Sequence, residues 1–131
     1  MKEAPMRVLI ADGDPLVCRA LARLLSKSAS VEVVATSSDR DEVVELAGRL
    51  RPAVTLVDAH TVQLDGLDVT RSLSRLFPWT QVIVLGVYAT MREEALLAGA
   101  CQFLLKDCSG ETLVEAIRLA ASGECKANTP V

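Results

Sequence analysis

Three charged residues each stand at the end of a short apolar run: Asp12 after VLIA, Asp58 after VTLV and Lys106 after FLL. A charge that directly follows a buried run is costly unless it is paired or solvated, so three of them suggest a common site. Two carboxylates placed together repel, and a hard divalent cation such as Mg²⁺ relieves this through oxygen ligands. A lysine beside them adds a compact positive charge suited to a phosphate. A carboxylate in such a setting is arranged to accept a phosphoryl group, because that transfer depends chiefly on positioning and charge neutralisation. The same residues would also serve as a plain Asp–Lys ion pair that fixes the loops, and their spacing leaves both readings open.

The elements that must position these residues alternate regularly. Apolar runs at Met6–Ala11, Val31–Thr36, Ala53–Val57, Gln81–Val87 and Cys101–Leu105 are short and continuous, as strands buried on both faces of a parallel sheet are. Between them lie segments of helical spacing. The first follows Asp14–Pro15, a cap and a first-turn proline, and carries Leu16, Ala20, Leu21, Leu24 and Leu25 as its apolar stripe. Ser38 precedes the second, Asp39–Leu50, with Val43, Leu46, Ala47 and Leu50 on one face. Gly66–Phe77 and Met91–Ala98 are the third and fourth; the fifth opens at Ser109, turns Leu113, Ala116, Ile117 and Ala120 inward, and closes at Gly123. This pattern predicts an α/β fold, a flavodoxin-like doubly wound (βα)5 three-layer sandwich with parallel strand order 2-1-3-4-5. In such a sheet ligands bind at the carboxyl ends of the strands where the order reverses, which is where Asp12 and Asp58 fall. Residues 1–123 form the domain, and 124–131 read as a tail or the start of a linker.

Composition narrows the possibilities. A chain of 131 residues fits a single domain, and its 50% apolar content excludes disorder. No apolar run approaches the roughly 18 residues of a membrane span, and the N-terminus lacks a signal-peptide pattern. A net charge of −3 and 3% aromatic residues argue against nucleic-acid binding by this chain alone. Cys18, Cys101, Cys108 and Cys125 contain no CxxC pair, and with one histidine in the chain a zinc site is not expected. They read as small apolar residues with reduced thiols in a cytoplasmic protein.

The segments RVLIADGDPLVCRALARLL, RPAVTLVDAHTVQLDGLDVTRSL, TQVIVLGVYA and AGACQFLLKDCSGETLVEAIRLAASGE resemble the receiver domain of bacterial two-component response regulators across nearly the whole chain. ADGDPLV and ASGECKANTPV look most like the NarL/FixJ/LuxR type, in which a linker at this point leads into a helix-turn-helix DNA-binding domain. The resemblance implies a phosphoprotein of a phosphorelay that controls an output such as transcription, not an enzyme. Its implied partners are a sensor histidine kinase and a second copy of the chain, with DNA reached only through a domain absent from this sequence and no membrane. An excised or stand-alone receiver is therefore expected. By the same resemblance Asp58 matches the phosphoacceptor, Asp12 the first acid of the metal-binding pair and Lys106 the invariant lysine. His60 falls where the family offers a backbone carbonyl to Mg²⁺, Asp65–Gly66 matches the pair that opens the third helix, and Phe103 matches the switch aromatic.

Three positions depart from that pattern. Gly13 replaces the second acid, Gly86 replaces the hydroxyl residue after the fourth strand, and Val62 replaces a proline. Loss of a carboxylate weakens Mg²⁺ binding; Asp14, one residue further on, could reach the metal but is better placed as a cap. On this reading Mg²⁺-dependent labelling by acetyl phosphate is weak or absent, and Gly13→Asp raises Mg²⁺ affinity. Loss of the hydroxyl removes a hydrogen bond to an anion, worth roughly 1.5–3 kcal/mol. A receiver-shaped module that binds a protein or ligand without phosphate is thus an alternative. The Asp12-Gly13-Asp14 sequence also looks like the nucleophile motif of haloacid-dehalogenase-like phosphatases, but GVYAT lacks their later acidic pair and Asp58 would have no role. A flavodoxin-like cofactor carrier fails because Asp12 and Asp14 would repel a phosphate. Trp79 is expected against the surface, Tyr88 beside Gly86, and Arg92, Glu93, Glu94, Glu111, Glu115 and Arg118 on a dimer face.

Overall fold

Strands buried on both faces must be continuously apolar, and β3 (Val54–Asp58) is buried along its whole length. The computed structural model describes residues 4–59 and 61–125; His60 and the tail residues 126–131, which figure in the sequence reading, lie outside them. The other elements are β1 (Met6–Ala11), α1 (Pro15–Leu25), β2 (Val31–Ser37), α2 (Arg40–Leu50), α3 (Gly66–Leu76), β4 (Gln81–Gly86), α4 (Arg92–Leu97), β5 (Gln102–Leu105) and α5 (Gly110–Ala121). The strands form one parallel sheet in the order β2-β1-β3-β4-β5, as the sequence predicts. Alternate residues of each strand face opposite layers. Val8, Ile10, Leu56 and Ile83 pack with Leu113 and Ile117 on one side. Leu9, Val57, Val82 and Val84 pack with Val43, Val69 and Ala95 on the other.

Helix starts follow the capping rules, with one correction. Asp14 accepts from the Leu16 N–H and Ser109 from the Thr112 N–H, at 2.9 and 3.1 Å. At α2 the cap is Asp39, not Ser38, with its carboxylate taking the Glu42 N–H at 2.9 Å. The α4 region also differs, because a 3₁₀ turn (Ala89–Met91) precedes a helix of only six residues.

Helix α1 turns only part of the expected stripe inward, Leu21 and Leu25, together with Cys18. Cys18 and Leu25, seven residues or two turns apart, are buried, while Leu16 is 66% exposed and Leu24 37%. The small thiol of Cys18 fits beneath the helix within 3.4 Å of the Asp12 carbonyl and 3.7 Å of that of Ser37, close to the strand ends. This seat phases the helix and leaves Leu16, Ala20 and Leu24 outside the core.

The expectation of four reduced thiols is also overturned. Cys101 and Cys125 form a disulfide, and Cys18 and Cys108 are the free thiols among the described residues. The chain beyond α5 returns to the start of β5, which brings the two Cα atoms to 4.8 Å, a separation no local motif announces. Closing a loop over 24 residues restricts the unfolded chain by about 3 kcal/mol. Thiol titration of the denatured, unreduced protein should therefore find two thiols, and reductant should lower Tm by about 10 °C. A Cys101→Ser/Cys125→Ser variant should not respond to reductant.

Candidate functional site

Register brings the first two charges together. Ala11 of β1 pairs with Val57 of β3, so the next residues, Asp12 and Asp58, leave the sheet side by side, both essentially inaccessible to solvent. Lys106 follows β5, and its backbone N–H donates to the Gly86 carbonyl at 2.8 Å. From there its side chain crosses β4, and Nζ lies 2.8 Å from Asp12 Oδ2 and 2.9 Å from Asp58 Oδ1. The three residues picked out at the strand ends thus form one site.

Every carboxylate oxygen of the pair has a donor. Asp12 Oδ1 accepts the Asp14 N–H at 2.9 Å, and Asp58 Oδ2 accepts both the hydroxyl and the N–H of Thr61, at 2.9 and 3.2 Å. Burial pushes the Asp12 carboxyl above its ordinary range and the nearby Asp58 charge adds to this, although the Lys106 hydrogen bond opposes both. Burial also works against the Lys106 ammonium, but the hydrogen bonds and charges of the two aspartates outweigh it and raise its pKa. Thr61 was not legible from the sequence. Its signal would have been a hydroxyl residue three positions after the acceptor candidate, opposite a glycine.

The two glycines are explained by what fills their space. A Cβ on Gly13 would lie 2.1 Å from Thr61 Oγ1, so the place of a second acid holds a threonine side chain. For Gly13→Asp, the side chain fits only if Thr61 moves away. A Cβ on Gly86 would lie 2.7 Å from the Phe103 ring and 3.1 Å from Met91 Sδ. Phe103 is buried and it, with Met91, fills the space; Tyr88, expected there, is 65% exposed. Val62 is exposed. Asp65 caps α3 through the Asp68 N–H, and Trp79 lies at the surface beside Phe77 and under the Arg51 guanidinium.

A Mg²⁺ ion needs hard oxygen ligands, and among the described residues the side chains offer it two carboxylates, with the expected His60 carbonyl outside them. The two carboxylates are shared with Lys106, position 13 offers no side chain, and Asp14, proposed as a further ligand, is exposed and engaged as the α1 cap. No group of three His, Cys, Asp or Glu side chains able to hold a metal occurs among the described residues.

Removing the bridge should expose the cost of two facing carboxylates. Lys106→Met is expected to destabilise the fold by about 3–5 kcal/mol at pH 7. The folded state then binds protons more tightly than the unfolded one, so the loss should shrink as pH falls and Asp12 protonates. Urea unfolding between pH 5 and 8 measures this. At the other wall, Gly86→Ser should cost about 1–3 kcal/mol through overpacking, and much less in a Phe103→Leu background.

The chain is similar to known proteins. The chain is 39% identical over 126 residues to the nitrate/nitrite response regulator NarP of Escherichia coli, covering 94% of this chain and 59% of that protein. It is 34% identical to a protein-glutamate methylesterase/protein-glutamine glutaminase of Myxococcus xanthus, covering 86% of this chain and 33% of the enzyme. Among solved structures, the signal receiver domain of NarL from Mycobacterium tuberculosis superposes with a TM-score of 0.84 at 31% identity, over 92% of this chain and 99% of that one. The chain spans 53–59% of the length of NarP and two further curated regulators that it matches. Residues 8–118 match the response regulator receiver domain, and the chain belongs to that family.

Proposed function

We propose that the chain is a receiver unit, residues 1–123, in which Asp58 accepts a phosphoryl group and Lys106 balances the charge. The observation that carries this reading is the Lys106 ammonium within 3 Å of both buried aspartates, Asp12 at 2.8 Å and Asp58 at 2.9 Å. An Asp58 oxygen attacks the phosphorus of a phosphohistidine on the partner kinase. The P–N bond breaks, its electron pair stays on the departing imidazole, and a mixed anhydride forms on Asp58. Lys106 faces the growing negative charge in a site shielded from water, where one ammonium counts for more than at the surface. Asp12 positions Lys106.

Mg²⁺, which receiver domains generally bind at this acidic site, finds two carboxylates here, and weakened binding is expected. The implied partners are a sensor histidine kinase and a second copy of the chain, which would meet through α4, β5 and α5 or through α1 and α5. DNA would be reached through a separate domain. The receiver itself is not an enzyme, and a cytoplasmic setting matches a kinase partner.

A second reading is a receiver-shaped module that no longer answers to phosphate. It is favoured by the Phe103 ring, which sits where a reporting hydroxyl on residue 86 would need space. Acetyl phosphate with intact-mass detection separates the two. Slow gain of one phosphoryl group, lost in Asp58→Asn, is expected. No gain in the wild type, at any Mg²⁺ concentration, leaves the second reading.

A further inference from the structure

We infer that Thr61 is a positioning residue that takes the place of the missing side chain at position 13, clamping Asp58 with a neutral hydroxyl and closing the side from which a cation would be held. The inference rests on Asp58 being the acceptor. Thr61 donates twice to a single oxygen, Oδ2, through its hydroxyl at 2.9 Å and its N–H at 3.2 Å. Oδ1 faces Lys106 at 2.9 Å. The carboxylate is therefore held at both ends, by an ammonium on one oxygen and a hydroxyl on the other.

The backbone N–H contact is a local turn that any non-proline residue at position 61 could make. The hydroxyl contact requires serine or threonine, and its position excludes a side chain at 13. A Cβ on residue 13 would meet Thr61 Oγ1 at 2.1 Å, Cβ at 2.6 Å and Cγ2 at 3.1 Å. The first two are far inside van der Waals contact, and Thr61 Cβ is fixed by the backbone, so rotation of the side chain does not fully relieve them. Glycine at 13 and threonine at 61 are thus a matched pair. A carboxylate at 13 and a branched residue at 61 are alternatives for the same space.

The matched pair has a chemical consequence. A second acid would add negative charge and create demand for a divalent cation. A hydroxyl donor instead satisfies Asp58 without changing the charge of the site. Thr61 also returns a hydroxyl to a pocket that has none on residue 86.

Two experiments test this separately. The first is a thermal-unfolding cycle of the full chain with Gly13→Asp, Thr61→Gly and the double variant. Gly13→Asp alone should lower Tm, and Thr61→Gly, which removes the Cβ at 2.6 Å as well as the hydroxyl, should restore much of the loss, a non-additivity expected for side chains that share space. The double variant should bind Mg²⁺ at least about tenfold more tightly than the wild type by calorimetry, because affinity follows carboxylate count. A Gly13→Asp protein as stable as the wild type, or additive Tm changes, overturns the pairing. The second experiment compares labelling of Thr61→Val and Thr61→Ser by acetyl phosphate. Loss of a hydrogen bond to a charged group should change the labelling rate about tenfold or more in Thr61→Val, while Thr61→Ser stays near the wild type. Equal rates for Thr61→Val and the wild type overturn the positioning role. If no protein is labelled, the acceptor reading of Asp58 fails, and the stability cycle still decides the Gly13–Thr61 exclusion.

Discussion

Two buried carboxylates at the ends of neighbouring strands can coexist only if a positive charge is shared between them. Lys106 supplies it, 2.8 Å from Asp12 and 2.9 Å from Asp58, although it comes from β5, on the far side of β4. The parallel register, the strand order and the length of a lysine side chain all serve this contact. Desolvation disfavours each of the three charges alone, whereas together they hold Asp12 and Lys106 in a balance of opposing effects.

Around that bridge, the departures from the receiver pattern are compensated rather than left open. The place of one missing side chain holds Thr61, and that of the other holds Phe103 and Met91. Interiors tolerate few voids, so substitutions to glycine survive where a neighbour expands into the space. The compensation changes chemistry as well as packing. A hydroxyl replaces a carboxylate beside Asp58, and an aromatic ring replaces a hydroxyl at the end of β4. The pocket retains Asp58 and Lys106, while the surroundings of positions 13 and 86 are rebuilt.

Much of this was readable in the residues themselves. Continuous apolar runs revealed five strands, although edge strand β2 is mostly half-buried or exposed, and a charge at the end of three of them located the site, because topology brings Asp12, Asp58 and Lys106 together. Asp14 and Ser109 were legible as caps, since short polar side chains before an apolar periodicity have few other uses. The failures have physical causes. The inward face of α1 was legible at Leu21 and Leu25 but not at Leu16 and Leu24, because leucines outnumber the single cysteine whose small thiol fits under the helix. The Cys101–Cys125 bond was missed because it depends on where the chain travels after α5, not on spacing. Thr61 was missed because its role appears only when residue 13 lies against it in space.

The entry to α3 has a mechanical consequence. Gly66 has no room for a side chain, since a Cβ there would lie 2.0 Å from the main-chain carbonyl oxygen of Asp58. Asp65, just before it, adopts the left-handed conformation with φ of 51° and caps the helix. Helix and strand thus meet backbone to backbone, with no soft side chain between them to absorb a shift. When the end of β3 is displaced, α3 must ride with it like the arm of a lever, and the helix beside Asp58 feels the push before more distant elements do.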